Sequence, residues 1–284
     1  MRLDPDMSDS VAQTPNHAPA PARGIERIAH AFAATGKRAA LMPYLMGGYP
    51  SLTESLRIGE ACVASGADLL ELGVPYSDPL ADGPVIHAAG TQALAAGANL
   101  AGVLEVARGL APSVPVVLMC YVNLVLAPGA DAFLARLAQT GACGLIVPDL
   151  PFEESAGIRA ACEAHGIALV PLVAPTTPPQ RMAVIGAQAQ GFLYAVSVVG
   201  TTGERDGLSE RFAQALEPAK ASTQVPVALG FGIGTPAQAR LAADAGADGV
   251  IVGTRLVRAA ADSPDEPAAA VGAAVAELRE GLSL

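Results

Sequence analysis

Gly66-Ala-Asp-Leu-Leu-Glu-Leu-Gly-Val-Pro-Tyr-Ser-Asp-Pro-Leu-Ala-Asp-Gly83 reads as a short buried strand running into a turn-rich loop. The apolar pair before Glu71 brings that carboxylate to the C-terminal edge of a strand, and Pro75, Pro79 and Gly83 punctuate the loop that bears Asp78 and Asp82. Two strong acids, one on a rigid strand and one on a loop, form an acid/base constellation. Carboxylates on loops are usually just solvated, so the pair alone does not establish chemistry.

Outward from this stretch the same alternation recurs. Strand candidates are Leu41 to Met46, Leu69 to Gly73, Pro115 to Cys120, Gly144 to Val147, Ala168 to Leu172, Gly191 to Val196, Val225 to Leu229 and Gly249 to Val252. Amphipathic stretches of helical length lie between them, among them Leu52 to Ser65, Asp131 to Thr140, Glu153 to His165, Pro179 to Gly186 and Pro236 to Ala245. Ile25, Ile28, Ala29 and Phe32 recur at helical spacing ahead of the first strand, giving a short leading helix that ends near Gly36. Strands apolar at every position imply burial on both faces, as in a parallel sheet covered by helices. Eight such units in the roughly 260 residues after Arg23 fit an α/β fold of the (β/α)8 TIM-barrel type, with residues 24–284 as one domain. A doubly wound open sheet is the alternative, because periodicity does not show closure; no G-x-G-x-x-G follows the first strand to favour it. In a barrel the C-terminal strand ends carry the active site, which is where Glu71 falls.

Composition narrows the function. Of 284 residues, 51% are hydrophobic and 15% charged, enough apolar material for a large core. With 27 acidic against 17 basic residues and a net charge of -10, a broad nucleic-acid surface is excluded, whereas one small phosphate can still be held by backbone N–H groups. Cys62, Cys120, Cys143 and Cys162 show no C-x-x-C pair, and the four histidines have no metal-ligand spacing, so no metal site is read and the thiols read as buried core residues of a reducing, cytoplasmic compartment. The uncharged windows Gly83 to Leu104 and Met182 to Gly203 are long enough for a bilayer but are broken by polar residues and glycine, so no membrane span is read. Residues 1–23, acidic and proline-bearing without an apolar segment, read as a flexible N-terminal tail and not a signal peptide.

Two late glycine-rich segments look like a phosphate site. Leu229-Gly-Phe-Gly-Ile-Gly234 follows the seventh strand and Val252-Gly253-Thr254 the eighth, the two loops between which barrels commonly bind phosphate. Ser197-Val-Val-Gly-Thr-Thr-Gly-Glu-Arg-Asp-Gly207, after strand six, has the length and polarity of a lid or of a plain mobile connection.

Glu71-Leu-Gly-Val-Pro-Tyr-Ser-Asp-Pro-Leu-Ala-Asp-Gly-Pro84 closely resembles the signature of the tryptophan synthase α-subunit family. The resemblance runs over about residues 24 to 284, through Met42-Pro-Tyr44, Met119-Cys-Tyr-Val-Asn123, Pro148-Asp-Leu-Pro-Phe-Glu-Glu-Ser155, Gly200-Thr-Thr-Gly203 and Gly230-Phe-Gly-Ile233. It implies a lyase that splits indole-3-glycerol phosphate into indole and glyceraldehyde 3-phosphate by a retro-aldol cleavage. Under that resemblance Glu71 moves protons and Asp82 accepts a hydrogen bond from the indole N–H. Tyr44, Met119, Tyr121, Ile146, Val173 and Tyr194 wall the indole pocket, though core packing explains each nearly as well. Gly203, Phe231, Gly232, Gly253 and Thr254 hold the phosphate, and Thr202 is the lid residue that reaches Asp82.

The resemblance also implies a partner, a β-subunit that carries pyridoxal phosphate and consumes the indole in an α2β2 assembly. Pro75, Asp78 and Pro79 would face it, and no cofactor is expected in this chain. Departures from the family pattern are Thr254 where Ser is common, Val198-Val199 in place of a polar or basic pair, Thr201 where Val is common, and Tyr44 where Phe is frequent. A non-catalytic phosphate-binding barrel and a different phosphosugar lyase or isomerase are the competing readings.

Overall fold

The computed structural model describes residues 24–197 and 205–284. The tail at 1–23 and the lid positions Val198, Val199, Thr201, Thr202 and Gly203 lie outside the described residues. Nine short strands follow in chain order: β1 Ala40–Met46, β2 Leu70–Gly73, β3 Val116–Met119, β4 Gly144–Ile146, β5 Ala168–Leu169, β6 Leu172–Val173, β7 Leu193–Val196, β8 Val227–Gly230 and β9 Gly249–Val252. They pair in the order β5-β4-β3-β2-β1-β9-β8-β7-β6, and each pairing is parallel.

The two ends of that order, β5 and β6, are successive pieces of one extended segment. Val170 N donates to Leu145 O at 2.9 Å on the β4 side, and Pro171 O accepts from Tyr194 N at 3.0 Å on the β7 side. One segment thus bonds both edges and closes the barrel. The continuous fifth strand read from Ala168 to Leu172 is corrected to two pieces, because Pro171 has no N–H to give to a ladder.

Strand cores such as Leu41, Met42, Leu70, Leu72, Val116, Val117 and Leu118 are fully enclosed, the burial on both faces expected of parallel strands under helices. The uncharged window 83–104 folds into Pro84–Ala95 and Leu100–Leu110, bent 107° apart, with Ile86, Ala93, Val103 and Leu110 buried. Among the described residues no single helix is long and apolar enough to cross a membrane. The helix read from Glu153 is a short 3-10 turn, Phe152–Glu154, followed by Ala156–Ala164. Ser155 Oγ turns back to Phe152 O at 2.6 Å and competes with helical continuation. All four cysteines are buried, as small core residues should be.

Two Gly-Ala-Asp turns tie the N-terminal ends of the strands, opposite the catalytic face. Asp68 accepts from Leu41 N at 2.7 Å and Lys37 Nζ at 2.8 Å; Asp248 accepts from Val227 N and Lys220 Nζ, both at 2.8 Å. These bonds hold the closed end of the barrel and leave the other end free to carry loops.

Candidate active site

A cavity of about 770 Å³ opens at the C-terminal ends of the strands, with Tyr44, Glu71, Asp82, Met119, Tyr194, Phe231, Gly232, Gly253 and Thr254 in its wall. Residues spread over the chain from β1 to the end of β9 therefore meet in one place. Tyr121 stands behind Asp82 and contributes through its hydroxyl. Ile146 is wholly enclosed at 0% exposure, and Val173 lines a separate cavity of about 540 Å³ beside β5 and β6.

Glu71 sits within β2, in register with Tyr44 on β1 and Val117 on β3. Only 1% of its surface is exposed, and its Oε2 has no hydrogen-bond partner. Burial, reinforced by the nearby charge of Asp82, pushes its pKa up to about 8, so the carboxyl is mostly protonated at neutral pH. Tyr44 and Tyr194 flank it. Burial first, and the neighbouring carboxylates second, raise both phenols well above their ordinary range, which keeps them neutral. Their rings have room because β2 and β8 end in glycine: a Cβ on Gly73 would collide with Tyr44 and one on Gly230 with Tyr194.

Asp82 immediately precedes Gly83, the N-cap of helix Pro84–Ala95, where the helix dipole favours a carboxylate. Partial burial raises its pKa, while the Tyr121 hydroxyl and the charge of His87 pull the other way. Tyr121 donates to Asp82 Oδ1 at 3.2 Å and accepts from Ala81 N at 2.9 Å. Its ring stacks on Tyr76 at 5.0 Å between centroids, and Tyr76 in turn accepts from Asn123 Nδ2 at 2.9 Å.

The opposite wall presents backbone amides. Phe231 and Gly232 are consecutive residues of positive φ, 70° and 77°, in the turn that follows β8. Gly253 caps helix Thr254–Asp262, whose first amides lie at the positive end of its dipole. Among the described residues the amides of Phe231, Gly232, Gly253 and Thr254 donate to no protein acceptor.

Gln238, Arg255, Arg258 and Asp262 also line the cavity and were not singled out from the sequence. Thr235-Pro-Ala-Gln238 carries a legible signal, since Thr235 and Gln238 form a reciprocal capping box. On the loop after β2, Pro75 is buried, Pro79 partly buried and Asp78 exposed, with Asp78 Oδ2 accepting from Ser77 Oγ at 2.6 Å.

The chain matches the family described as tryptophan synthase alpha chain over residues 31–282. The tryptophan synthase alpha chain of Carboxydothermus hydrogenoformans is 49% identical over 237 residues, covering 82% of this chain and 88% of that one. That of a Synechococcus species is 48% identical over 246 residues, covering 86% and 91%. Among solved structures, tryptophan synthase from Mycobacterium tuberculosis superposes with a TM-score of 0.82 at 37% identity, covering 91% of this chain and 99% of that one. Tryptophan synthase subunit alpha from Legionella pneumophila gives 0.82 at 36% identity, covering 92% and 98%. With its motifs, its barrel and nearly its whole described length in agreement, the chain belongs to the tryptophan synthase alpha chain family, lyases that cleave indole-3-glycerol phosphate to indole and glyceraldehyde 3-phosphate.

Proposed function

We propose that Glu71 carries the proton of this cleavage and that Asp82 stabilises the charge it creates. The observation behind the assignment is the enclosed Glu71 carboxyl, protonated near neutrality, with one oxygen left without a partner beside a cavity. Glu71 donates its proton to indole C3, and the ring nitrogen takes up the positive charge. Asp82, as carboxylate, accepts the indole N–H as that charge develops. The bond from C3 to the side chain then breaks, its electron pair returning to the ring. The adjacent hydroxyl loses its proton to the Glu71 carboxylate and becomes the aldehyde, so the acid is regenerated and no net proton is consumed.

Tyr44, Met119 and Tyr194 form the apolar wall against the indole, with Tyr121 holding Asp82 from behind. Ile146 and Val173 support this wall by packing and not by contact. Phe231, Gly232, Gly253 and Thr254 take the phosphate on main-chain amides, joined by Gly203, and Thr202 is assigned as the lid residue for Asp82. The pyridoxal-phosphate β-subunit docks on the loop of Pro75, Asp78 and Pro79 in an α2β2 assembly in the cytoplasm. In this reading the group is the partner's, and no residue of this chain is assigned to it.

The test is indole release from indole-3-glycerol phosphate by the purified chain. Glu71→Gln should lower it by roughly 10²–10⁴-fold. Turnover at the wild-type rate in that variant would remove Glu71 from the chemistry.

A further inference from the structure

We infer that Ser197, Gln238 and Arg255 are positioning residues for phosphate: together they clamp the loop after β8 in the one shape that presents its free amides. The inference rests on the phosphate reading above and assigns these side chains an indirect role, through the backbone that they bond.

Phe231 is the one described non-glycine residue with positive φ, at 70°, and Gly232 follows at 77°. A phenylalanine held there is strained, and such strain persists only when the surroundings over-determine it. The ring does not supply that constraint alone, because Phe231 is 42% exposed and meets Tyr194 edge-on at 6.4 Å. The constraint comes from both flanks of the loop. On the β7 side, Ser197, only 4% exposed, gives its hydroxyl proton to Phe231 O at 2.6 Å, with Gly230 O at 3.2 Å; its N–H also donates to Gly230 O at 3.1 Å. On the helix side, Gln238 Oε1 accepts from Gly234 N at 2.8 Å and from Thr235 N at 3.1 Å. Arg255 Nη1 donates to Gly234 O at 2.7 Å, while Nη2 pairs with Glu277.

The pattern sorts the loop's polar groups. The carbonyls of Phe231 and Gly234 are occupied by Ser197 and Arg255, and the amides of Gly234 and Thr235 are spent on Gln238. Those of Phe231 and Gly232 remain. Arg255, the cation at the start of its helix, is itself engaged with Gly234 and Glu277, so its part in phosphate affinity runs through the amide geometry that the clamp sets.

Glycerol 3-phosphate titrated into the purified full chain by calorimetry tests this, with indole as the phosphate-free control and NMR shifts of the Phe231 and Gly232 amides reporting where the phosphate lies. Gln238→Ala and Ser197→Ala should each weaken glycerol 3-phosphate about ten-fold and raise KM for indole-3-glycerol phosphate by a similar factor. In both variants kcat and indole affinity should stay near the wild-type values. Ser197→Thr, which keeps the hydroxyl, should restore binding. Unchanged glycerol 3-phosphate affinity in both alanine variants overturns the clamp while leaving the phosphate site intact, as does an equal loss for indole and glycerol 3-phosphate alongside a lowered Tm. If wild type binds glycerol 3-phosphate without moving the Phe231 and Gly232 amides, the phosphate reading itself falls, and the clamp with it.

Discussion

Tyr121 holds Asp82 by a hydrogen bond of 3.2 Å, whereas Glu71, the other acid of the same motif, keeps an oxygen with no partner. The two carboxyls are thereby pushed into different roles by their surroundings. Glu71 has nothing to stabilise its charge and stays protonated; burial raises the Asp82 pKa too, but there a phenol donor, a helix N-terminus and the charge of His87 oppose the rise. One acid that keeps its proton and one that gives it up are what protonation of a carbon beside a developing cation requires.

Tyr121→Phe removes the donor that lowers the Asp82 pKa, so that pKa should rise. In the role proposed for it Asp82 acts as a carboxylate, and activity on the acid side then falls as it protonates. The acid limb of the kcat/KM profile should therefore move to higher pH, because the hydrogen bond that favours the charged form is gone. A pH profile with an unmoved acid limb would show that the bond does not bear on the working state of Asp82.

Asp82→Asn keeps the shape of the side chain and removes its charge. The interaction with the indole nitrogen strengthens as that nitrogen becomes cationic, so kcat should drop on the order of 10²–10³-fold. Binding of glycerol 3-phosphate, which lacks the ring, should stay within roughly two-fold. Equal losses in turnover and in phosphate binding would mean that Asp82 shapes the cavity instead of stabilising charge.

Asp78 is exposed on the loop that leads into Asp82, bonded to Ser77 alone among the described residues. A rim charge of this kind guides and registers a partner and does little inside its own subunit. Asp78→Lys should leave basal indole release within about two-fold and sharply reduce its stimulation by added β-subunit. Full stimulation of the variant would move the docking surface elsewhere.

The barrel was legible because the strands are short apolar runs, β2 with its Glu71 apart, and amphipathic stretches of helical length lie between them. The same uniformity hid which way side chains point. Ile146 and Val173 fall at strand ends as read, yet neither lines the catalytic cavity, since a strand buried on both faces carries no alternation to tell cavity from wall. Pro171 stood in plain view, but that its carbonyl would serve β7 while Val170 served β4 is a property of closure. Glu71 and Asp82 were readable from a local motif. Ser197 was not: it lies 34 residues from the Phe231 carbonyl it bonds, and a lone serine after a strand carries no signal.

Glu71 also sets a cost in stability that depends on pH in a defined direction. Its pKa is about 8 in the folded chain against an ordinary value of 4.5. Between these values the native state retains a proton that the unfolded chain releases, so stability falls as pH rises through that window. Below pH 4.5 both states are protonated and the group is neutral in its effect; above about 8 both are ionised and the full penalty, on the order of a few kcal/mol, is present. Gln cannot ionise and keeps the shape. The Tm of Glu71→Gln should therefore match wild type near pH 4.5 and exceed it by a margin that widens up to about pH 8, the point at which the folded carboxyl itself gives up its proton. Thermal melts of both proteins across that range decide it: a Tm difference that does not change with pH means that Glu71 is not protonated in the folded barrel, and the proton assigned to indole C3 must come from another group.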